Sequence, residues 1–403
     1  VSTRATPCPT LIVCHEGHEN DVCCTENIFE FLTAHRIDCG HVNLRGSDAA
    51  DELRGWLACG PSIVLLGFNA QLDHFWLADE PLLHVAGREG VTVMQWLFDH
   101  PSARWPEFTS SSASASCFVF HSPYSQAYFA RYCCPGAMTA AVGSIGPNWR
   151  SRASEETTPA FAQRSVSCLI ALTLSRLDRT VAHTAAEIDA MVEPLRRALR
   201  EAISRARFDL DLPVEHHLEV ALADGGLARD DTDFNRCVRL LNDSVQHSRR
   251  GEIMRVARQF DVTVQSDETA RALVDGGRAR FRAAVSTVET LAGMRRCRTV
   301  LSVSPVNDSI HDRACNALNA GCLPIVEDNR AHRGLFRHGE NALLFRYGDG
   351  SLAECLALAC GKADRIHPLA EGAIAMRDLP CFRFGGFHNM VALAGLESAA
   401  DPV

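Results

Sequence analysis

The sequence predicts an α/β protein built on two doubly covered parallel sheets, with a helical stretch between them. Three observations carry this expectation. Residues 1–150 alternate short, almost unbroken apolar runs with helical periodicity, the pattern of strands buried on both faces. Residues 151–245 lose the strand pattern and gain charge. From Arg250 the alternation returns. Strands separated by helices join as parallel βαβ units, so each half reads as a Rossmann-like sheet. The expected domains are 1–150, 151–245 and 246–403, and 403 residues suffice for about 2–3 domains.

In order along the first domain, residues 10–14 (TLIVC) form a buried strand, and the polar loop HEGHENDVCC follows with Gly17 inside it. A helix over 26–35 carries Ile28, Phe29, Phe31 and Leu32. Strands are expected at 39–44 and 62–66, with a helix over 48–58 between them. A helix over 82–89 ends at Gly90 and leads into a strand at 91–98. The strand at 117–120 opens onto HSPYSQAYFARY, where Ser122 caps a helix that starts with Pro123. A strand at 137–142 closes the domain.

The middle reads as helices over 161–177, 185–206, 213–223 and 234–245, and it offers no strand before Ser248. Arg196, Arg197, Arg200 and Arg205 read as solvated helix faces beside acidic partners, with docking of a partner or a second copy as the other reading. Beyond Arg250 come a helix over 252–259, a strand at 261–265 and a largely helical stretch over 276–294. The stretch TVLSVSPVNDSIHDRACNALNAGCLPIVEDN (299–329) then reads as strand, turn, helix, turn and strand. Ile310, Ala314, Ala317 and Leu318 recur with helical period, and Gly321 fits the residue just past the helix. Such a unit puts the helix N-terminus at the C-terminal edge of a sheet, where open α/β proteins bind ligands. Its free N–H groups and partial positive charge suit phosphate. His311 and Arg313 in the first turn add donors, and the arginine fork matches phosphate oxygens. A helix over 352–359 and an amphipathic tail over 387–396 complete the chain.

Composition narrows the function. A net charge of −9 argues against a general nucleic-acid binder. The single lysine, Lys362, and the absence of GxxxxGK[ST] exclude a P-loop, and no GxGxxG follows the first strand. No apolar run approaches the ~18 residues of a membrane-spanning helix, and the first residues lack a signal-peptide core. Seventeen scattered cysteines read as buried free thiols of a reducing cytoplasm. Cys14, His15, His18, Cys23 and Cys24 invite a zinc reading, but no CxxC or HExxH spacing accompanies them, and no metal site is expected.

The stretch 299–329, with its Ser-Pro turn, first-turn arginine, NALNAG end and PIVED strand, resembles the donor half of GT-B glycosyltransferases. HGENALLFRYGD (338–349) and the W-x-x-D-x-P of VTVMQWLFDHP (91–101) are similar to segments of the CgeB-like (spore-maturation-protein-like) branch of the glycosyl transferases group 1 family. The resemblance is specific over 296–350, suggestive over 60–150 and absent in the middle. It implies the GT-B fold, two Rossmann-like domains facing a cleft, with a C-terminal helix crossing back to the first. It also implies transfer of a sugar from a nucleotide-sugar donor to an unidentified glycan, lipid or protein acceptor, with no cofactor and no divalent metal. On the donor side Arg313, His311 and the helix N-terminus would hold the diphosphate, and Ser304, Asp308, Asn316 and Asp328 would contact sugar or nucleoside. Related retaining enzymes carry acids eight positions apart, where this chain has Asp308 and the amide Asn316. On the acceptor side two roles fit Asp99: orienting or deprotonating a hydroxyl, or holding its own loop as a turn residue. Glu16, His18, Glu19 and Asp21 follow the first strand as alternative bases, and the sequence does not choose among them. His121 fits either a substrate contact or the edge of the core. Two other classes stay open: a sugar-nucleotide epimerase or hydrolase, and a non-catalytic binding protein that keeps the fold.

Overall fold

Strand β1 (Thr10–His15) is buried at every position after its first, as a central strand must be when helices cover both faces of its sheet. The computed structural model describes residues 9–105, 108, 116–144, 146, 158–172, 175–229, 231–304 and 309–395. After β1 come helix α1 (Glu19–Ala34), β2 (Cys39–Asn43), α2 (Ala49–Leu57) and β3 (Ile63–Phe68). A two-stranded antiparallel ribbon, β4 (Trp76–Leu77) and β5 (Glu80–Pro81), leads to α3 (Leu82–Glu89) and β6 (Thr92–Leu97). Then follow β7 (Ser116–Phe120), α4 (Pro123–Tyr128) and β8 (Met138–Ala141). The sheet order is β2-β1-β3-β6-β7-β8, parallel throughout. Strand alternation sorts the core. Leu11, Val13, Met94 and Trp96 pack with Ile28, Phe31 and Leu32 of α1. Ile12, Cys14, Leu65 and Val93 pack with Leu53 and Leu57 of α2 and Leu82 and Ala86 of α3. Ser122 caps α4, its hydroxyl accepting from the Tyr124 N–H at 3.2 Å.

The second sheet contains a strand where the sequence reads as helix. Strand β9 (Val166–Ala171) interrupts the stretch expected to be helical over 161–177, and it supplies the strand not found before Ser248. The run VSCLIA is short and apolar, and periodicity alone does not separate such a run from a buried helix segment. Its pairing with two neighbours decides the matter. Helices α5 (Ser175–Asp189), α6 (Glu193–Ala206), α7 (Val214–Asp224) and α8 (Asp231–Ala257) then form the crossover from β9 to β10 (Thr263–Ser266). Helix α8 runs unbroken for 27 residues, past the boundary expected at 245. After α9 (Glu268–Val274), the stretch expected to be largely helical begins as an exposed edge strand, β11 (Arg280–Ala283), before α10 (Thr287–Met294). Next come β12 (Cys297–Ser302), α11 (Asp312–Asn319), β13 (Leu323–Glu327), α12 (Arg330–Arg333), β14 (Leu343–Phe345), α13 (Ser351–Ala359) and α14 (Ala363–Met376).

All neighbours in the order β11-β10-β9-β12-β13-β14 are parallel. Counted within the unit this is 3-2-1-4-5-6, the Rossmann order, with its switch point between β9 and β12. Ile170, Leu301, Val303 and Ile325 meet Ala314, Cys315 and Leu318 of α11 in one core. Helix α11 ends in a Schellman motif. Gly321 adopts φ +68°, the Cys322 N–H donates to the Ala317 carbonyl at 2.8 Å, and the Gly321 N–H donates to Leu318 at 2.9 Å.

The chain divides into two compact units, Val1–Arg150 with Phe384–Val403, and Ser151–Arg383. The C-terminal helix α15 (Phe387–Leu393) belongs to the first. Phe384, Phe387, Met390 and Val391 lie in the same core as Leu11 and Phe31. Among the described residues no helix is long and apolar enough to cross a membrane.

Candidate functional site

In the second unit, strand β12 ends at Ser302 beside the switch point, and the chain turns through Ser304 toward α11. Ser304 is buried. Its N–H donates to Glu327 Oε2 at 2.8 Å, and its hydroxyl donates to the Ser309 carbonyl at 2.9 Å. Asp308 lies outside the described residues. His311 is the N-cap of α11, with extended backbone, and its Nδ1 accepts from the Arg313 N–H at 3.0 Å. The same nitrogen lies against the Asp312 carboxylate. The Arg313 guanidinium is partly buried and makes no hydrogen bond or ion pair among the described residues. Asn316 is buried, one turn on from Asp312 and on the same helix face.

Two further arginines come to this edge from α8, and the sequence reading missed both. Arg249 is buried. It donates to the carbonyls of Ala206 at 2.9 Å and Asp209 at 2.8 Å, and it stacks 5.3 Å from the Tyr347 ring centre. Arg250 lies close enough to Arg313 for their charges to interact: burial, then the Arg313 charge, lowers its affinity for a proton. Burial likewise lowers that of Arg313, opposed by Asp312. Burial pushes the Asp312 carboxyl up, but His311 and Arg313 outweigh it and hold the group at about 2. Glu327 closes the cluster from the end of β13. Burial raises its pKa, against Arg249, the Ser304 N–H and the Tyr347 hydroxyl, which donates to it at 2.8 Å. The signal available in the sequence was Arg249–Arg250 itself, a basic pair on a helix otherwise rich in acid–base partners.

Asp328 points elsewhere. Its carboxylate accepts from Arg346 Nε at 2.8 Å and Arg333 Nη1 at 3.0 Å, and Asp211 joins the same ion cluster. Burial raises its pKa, but the two arginines hold it below the usual range. Arg196, Arg200 and Arg205 on α6 pair with Glu193, Asp189 and Asp224 respectively, on solvated faces.

In the first unit the switch point falls between β1 and β3. The loop after β1 places Glu16 and His18 together: Glu16 Oε2 accepts from Arg45 Nη2 at 2.9 Å and lies 3.2 Å from His18 Nε2. Arg45 Nη2 also lies 3.0 Å from that nitrogen. The Glu19 and Asp21 side chains lie outside the described residues. Asp99 follows β6, with β3 between it and the β1 loop, so the two loops are about 10 Å apart at the strand ends. No hydrogen bond or ion pair among the described residues joins Asp99 to Glu16 or His18. Asp99 is exposed, and the turn after it is capped by His100, whose Nδ1 accepts from the Ser102 N–H at 3.3 Å. The Phe98 N–H is held by Asn69 Oδ1 at 2.9 Å. His121 is buried, with Nδ1 3.3 Å from the Leu97 carbonyl.

Among the described residues no three or more His, Cys, Asp or Glu side chains are placed to hold a metal ion. Their sixteen cysteines are all free, and burial pushes Cys14, Cys168 and Cys322 up to about 12, the protonated and unreactive form.

Two Rossmann-like sheets, one of them completed by a returning C-terminal helix, define the GT-B fold. A similar solved structure shares it. The DNA-modifying enzyme beta-glucosyltransferase, solved in the presence and absence of its substrate uridine diphosphoglucose, is 8% identical, covering 96% of this chain and 99% of its own at a TM-score of 0.51. Anabaena HepE, solved with UDP and glucose, is 10% identical over 96% of this chain and 98% of its own, with a TM-score of 0.48. No family model matches the sequence, and no curated sequence is similar to it.

Proposed function

We propose that this chain is a glycosyltransferase that binds a nucleotide-sugar donor on its second unit and moves the sugar to an acceptor hydroxyl. One observation carries the reading: Arg313, whose charge only Asp312 opposes among the described residues, sits beside Arg250 at the N-terminus of α11, at the switch point of a Rossmann sheet. Two neighbouring guanidiniums that are partly withdrawn from water favour an incoming anion. The α11 N-terminus adds the positive end of a helix dipole to the same place. A diphosphate supplies the matching charge, and beta-glucosyltransferase, which shares the fold, uses uridine diphosphoglucose.

In this reading Arg313, Arg250, His311 and the first turn of α11 hold the diphosphate and stabilise it as it leaves, so the transfer needs no divalent metal and no further cofactor. Ser304, Asp308, Asn316 and Asp328 are assigned to nucleoside and sugar, with Asp328 the least available because two arginines already hold it. On the acceptor side Asp99, which is exposed, is assigned as the base. Glu16 and His18 are already engaged by Arg45. The acceptor is a glycan, lipid or protein hydroxyl, the transferred group a hexose, and the nearest branch the CgeB-like one. The free thiols fit a cytoplasmic enzyme, and the helices α5–α8 are the surface for any partner or second copy.

A second reading has its own observation. Asn316 puts a buried amide where related retaining enzymes have a carboxylate, which favours a protein that binds the nucleotide without turning it over. A thermal-shift screen of UDP-, GDP-, TDP- and CMP-linked sugars tests the donor site. A ligand at 100 times its Kd adds about 2.7 kcal/mol to stability. The expected result is a rise in melting temperature with one class of nucleotide sugar, lost in Arg313→Ala. A rise of equal size in the variant, or none in the native protein, contradicts the donor site.

A further inference from the structure

Glu327 stands at the centre of the donor edge without belonging to any role assigned so far. It ends β13, and its side chain is almost fully withdrawn from water at 1% exposure. Both carboxylate oxygens are used. Oε2 accepts from the Ser304 main-chain N–H at 2.8 Å, and Oε1 accepts from the Tyr347 hydroxyl at 2.8 Å. Arg249 supplies the opposing charge and stacks on the same Tyr347 ring. One carboxylate therefore joins the chain just past β12, the chain just past β14 and the C-terminal part of α8. Its own main chain is pinned as well, since the Glu327 carbonyl lies 2.7 Å from His332 Nδ1.

The consequence runs along the chain. Ser304, held by Glu327, uses its hydroxyl to hold the Ser309 carbonyl. Ser309 is two residues before His311, the N-cap of α11. The path from Glu327 to Ser304 to Ser309 thus sets where the first turn of α11 and Arg313 begin. A buried carboxylate is costly, and it persists where fixed donors satisfy it. Here one of those donors, the Ser304 N–H, belongs to the chain that leads from β12 toward α11.

We infer that Glu327 is a positioning residue that presets the α11 N-terminus for the donor diphosphate, through hydrogen bonds rather than through its charge. This rests on the donor site proposed above. The hydrogen-bonding form matters because a glutamine in place of Glu327 can still accept from Ser304 with its oxygen and donate to the Tyr347 oxygen with its amide. Alanine can do neither. The two substitutions therefore separate geometry from charge.

The test uses the full-length chain at a temperature well below its melting point, with Glu327→Ala, Glu327→Gln and Tyr347→Phe. Hydrogen exchange of the amides of residues 309–316 in the ligand-free protein reads the preset turn. Calorimetric titration with UDP, with GDP and with pyrophosphate reads its use. The expected result is faster exchange and at least tenfold weaker binding in Glu327→Ala, most of both recovered in Glu327→Gln, and a smaller loss in Tyr347→Phe. Native exchange at 309–316 in Glu327→Ala overturns the inference, as does equal weakening in Glu327→Gln and Glu327→Ala. If none of the three probes binds the native protein, the donor site falls, while the exchange data still decide whether Glu327 holds the turn. A lower melting point in Glu327→Ala with native exchange and native affinity shows a merely structural carboxylate and also overturns it.

Discussion

Asp312 sits between the two readings that its neighbours allow. It is an acid in the first turn of a helix whose N-terminus is proposed to take a phosphate, and it partly neutralises the cations there. Its carboxyl is held at about 2, against an ordinary value near 3.8. A depressed folded-state pKa contributes stability that is fully present above the unfolded value and is lost as pH falls toward the folded one. The window is therefore about pH 4 down to about pH 2, and the contribution is about 2 kcal/mol. Asp312→Asn should lower stability in urea by about that amount at pH 6, and the gap between variant and native protein should narrow at pH 3.5. A gap that is constant across that range, or absent at pH 6, shows that Asp312 does not gain its charge from His311 and Arg313.

At the scale of elements, helix α11 depends on how it stops as much as on how it starts. Gly321 adopts φ +68°, and a Cβ there would lie 3.0 Å from Arg164 Nη2. A side chain in the left-handed region costs about 1–2 kcal/mol. Gly321→Ala should cost about that much in chemical denaturation, with the secondary structure of the folded protein unchanged by circular dichroism. A neutral substitution would mean that the Schellman end relaxes freely. This ending was legible in the sequence, as was the whole strand–helix–strand unit around it, because the apolar period, the glycine and the turn residues agree. Strand β9 was not. VSCLIA carries no alternation, and only pairing to β10 and β12 distinguishes it from a helix segment. Arg249 and Arg250 were hidden for the same reason. Without β9, helix α8 reads as part of an insertion instead of a crossover that ends at the sheet edge. His100, capping the turn that Asp99 was weighed for, shows the limit of reading a loop by composition: both residues accept hydrogen bonds, and the backbone decides which one does.

On the scale of the whole molecule, the two units keep separate cores, and the last described helix completes the first of them. Phe387 is fully buried there, 5.0 Å from the Trp96 ring. Phe387→Ala should destabilise that unit by about 3–5 kcal/mol, the range for removing a buried aromatic side chain. The five tryptophans, Trp56, Trp76, Trp96, Trp105 and Trp149, all lie within residues 1–150, so tryptophan fluorescence in urea follows this unit alone. An unshifted fluorescence transition would remove α15 from its core.

The missed strand also fixes the sheet order, because 3-2-1-4-5-6 puts the switch point between β9 and β12, the edge where the donor site is proposed at Ser304, His311 and Arg313. Phosphorus NMR of the nucleotide sugar selected by thermal shift, followed over time with native protein and with Arg313→Ala, tests that placement most directly. The account predicts that the diphosphate resonances shift on binding and convert to those of the free nucleoside diphosphate with native protein, and that the variant does both at least tenfold less effectively. Equal shift and release by the variant, or resonances unmoved by the native protein, would contradict it.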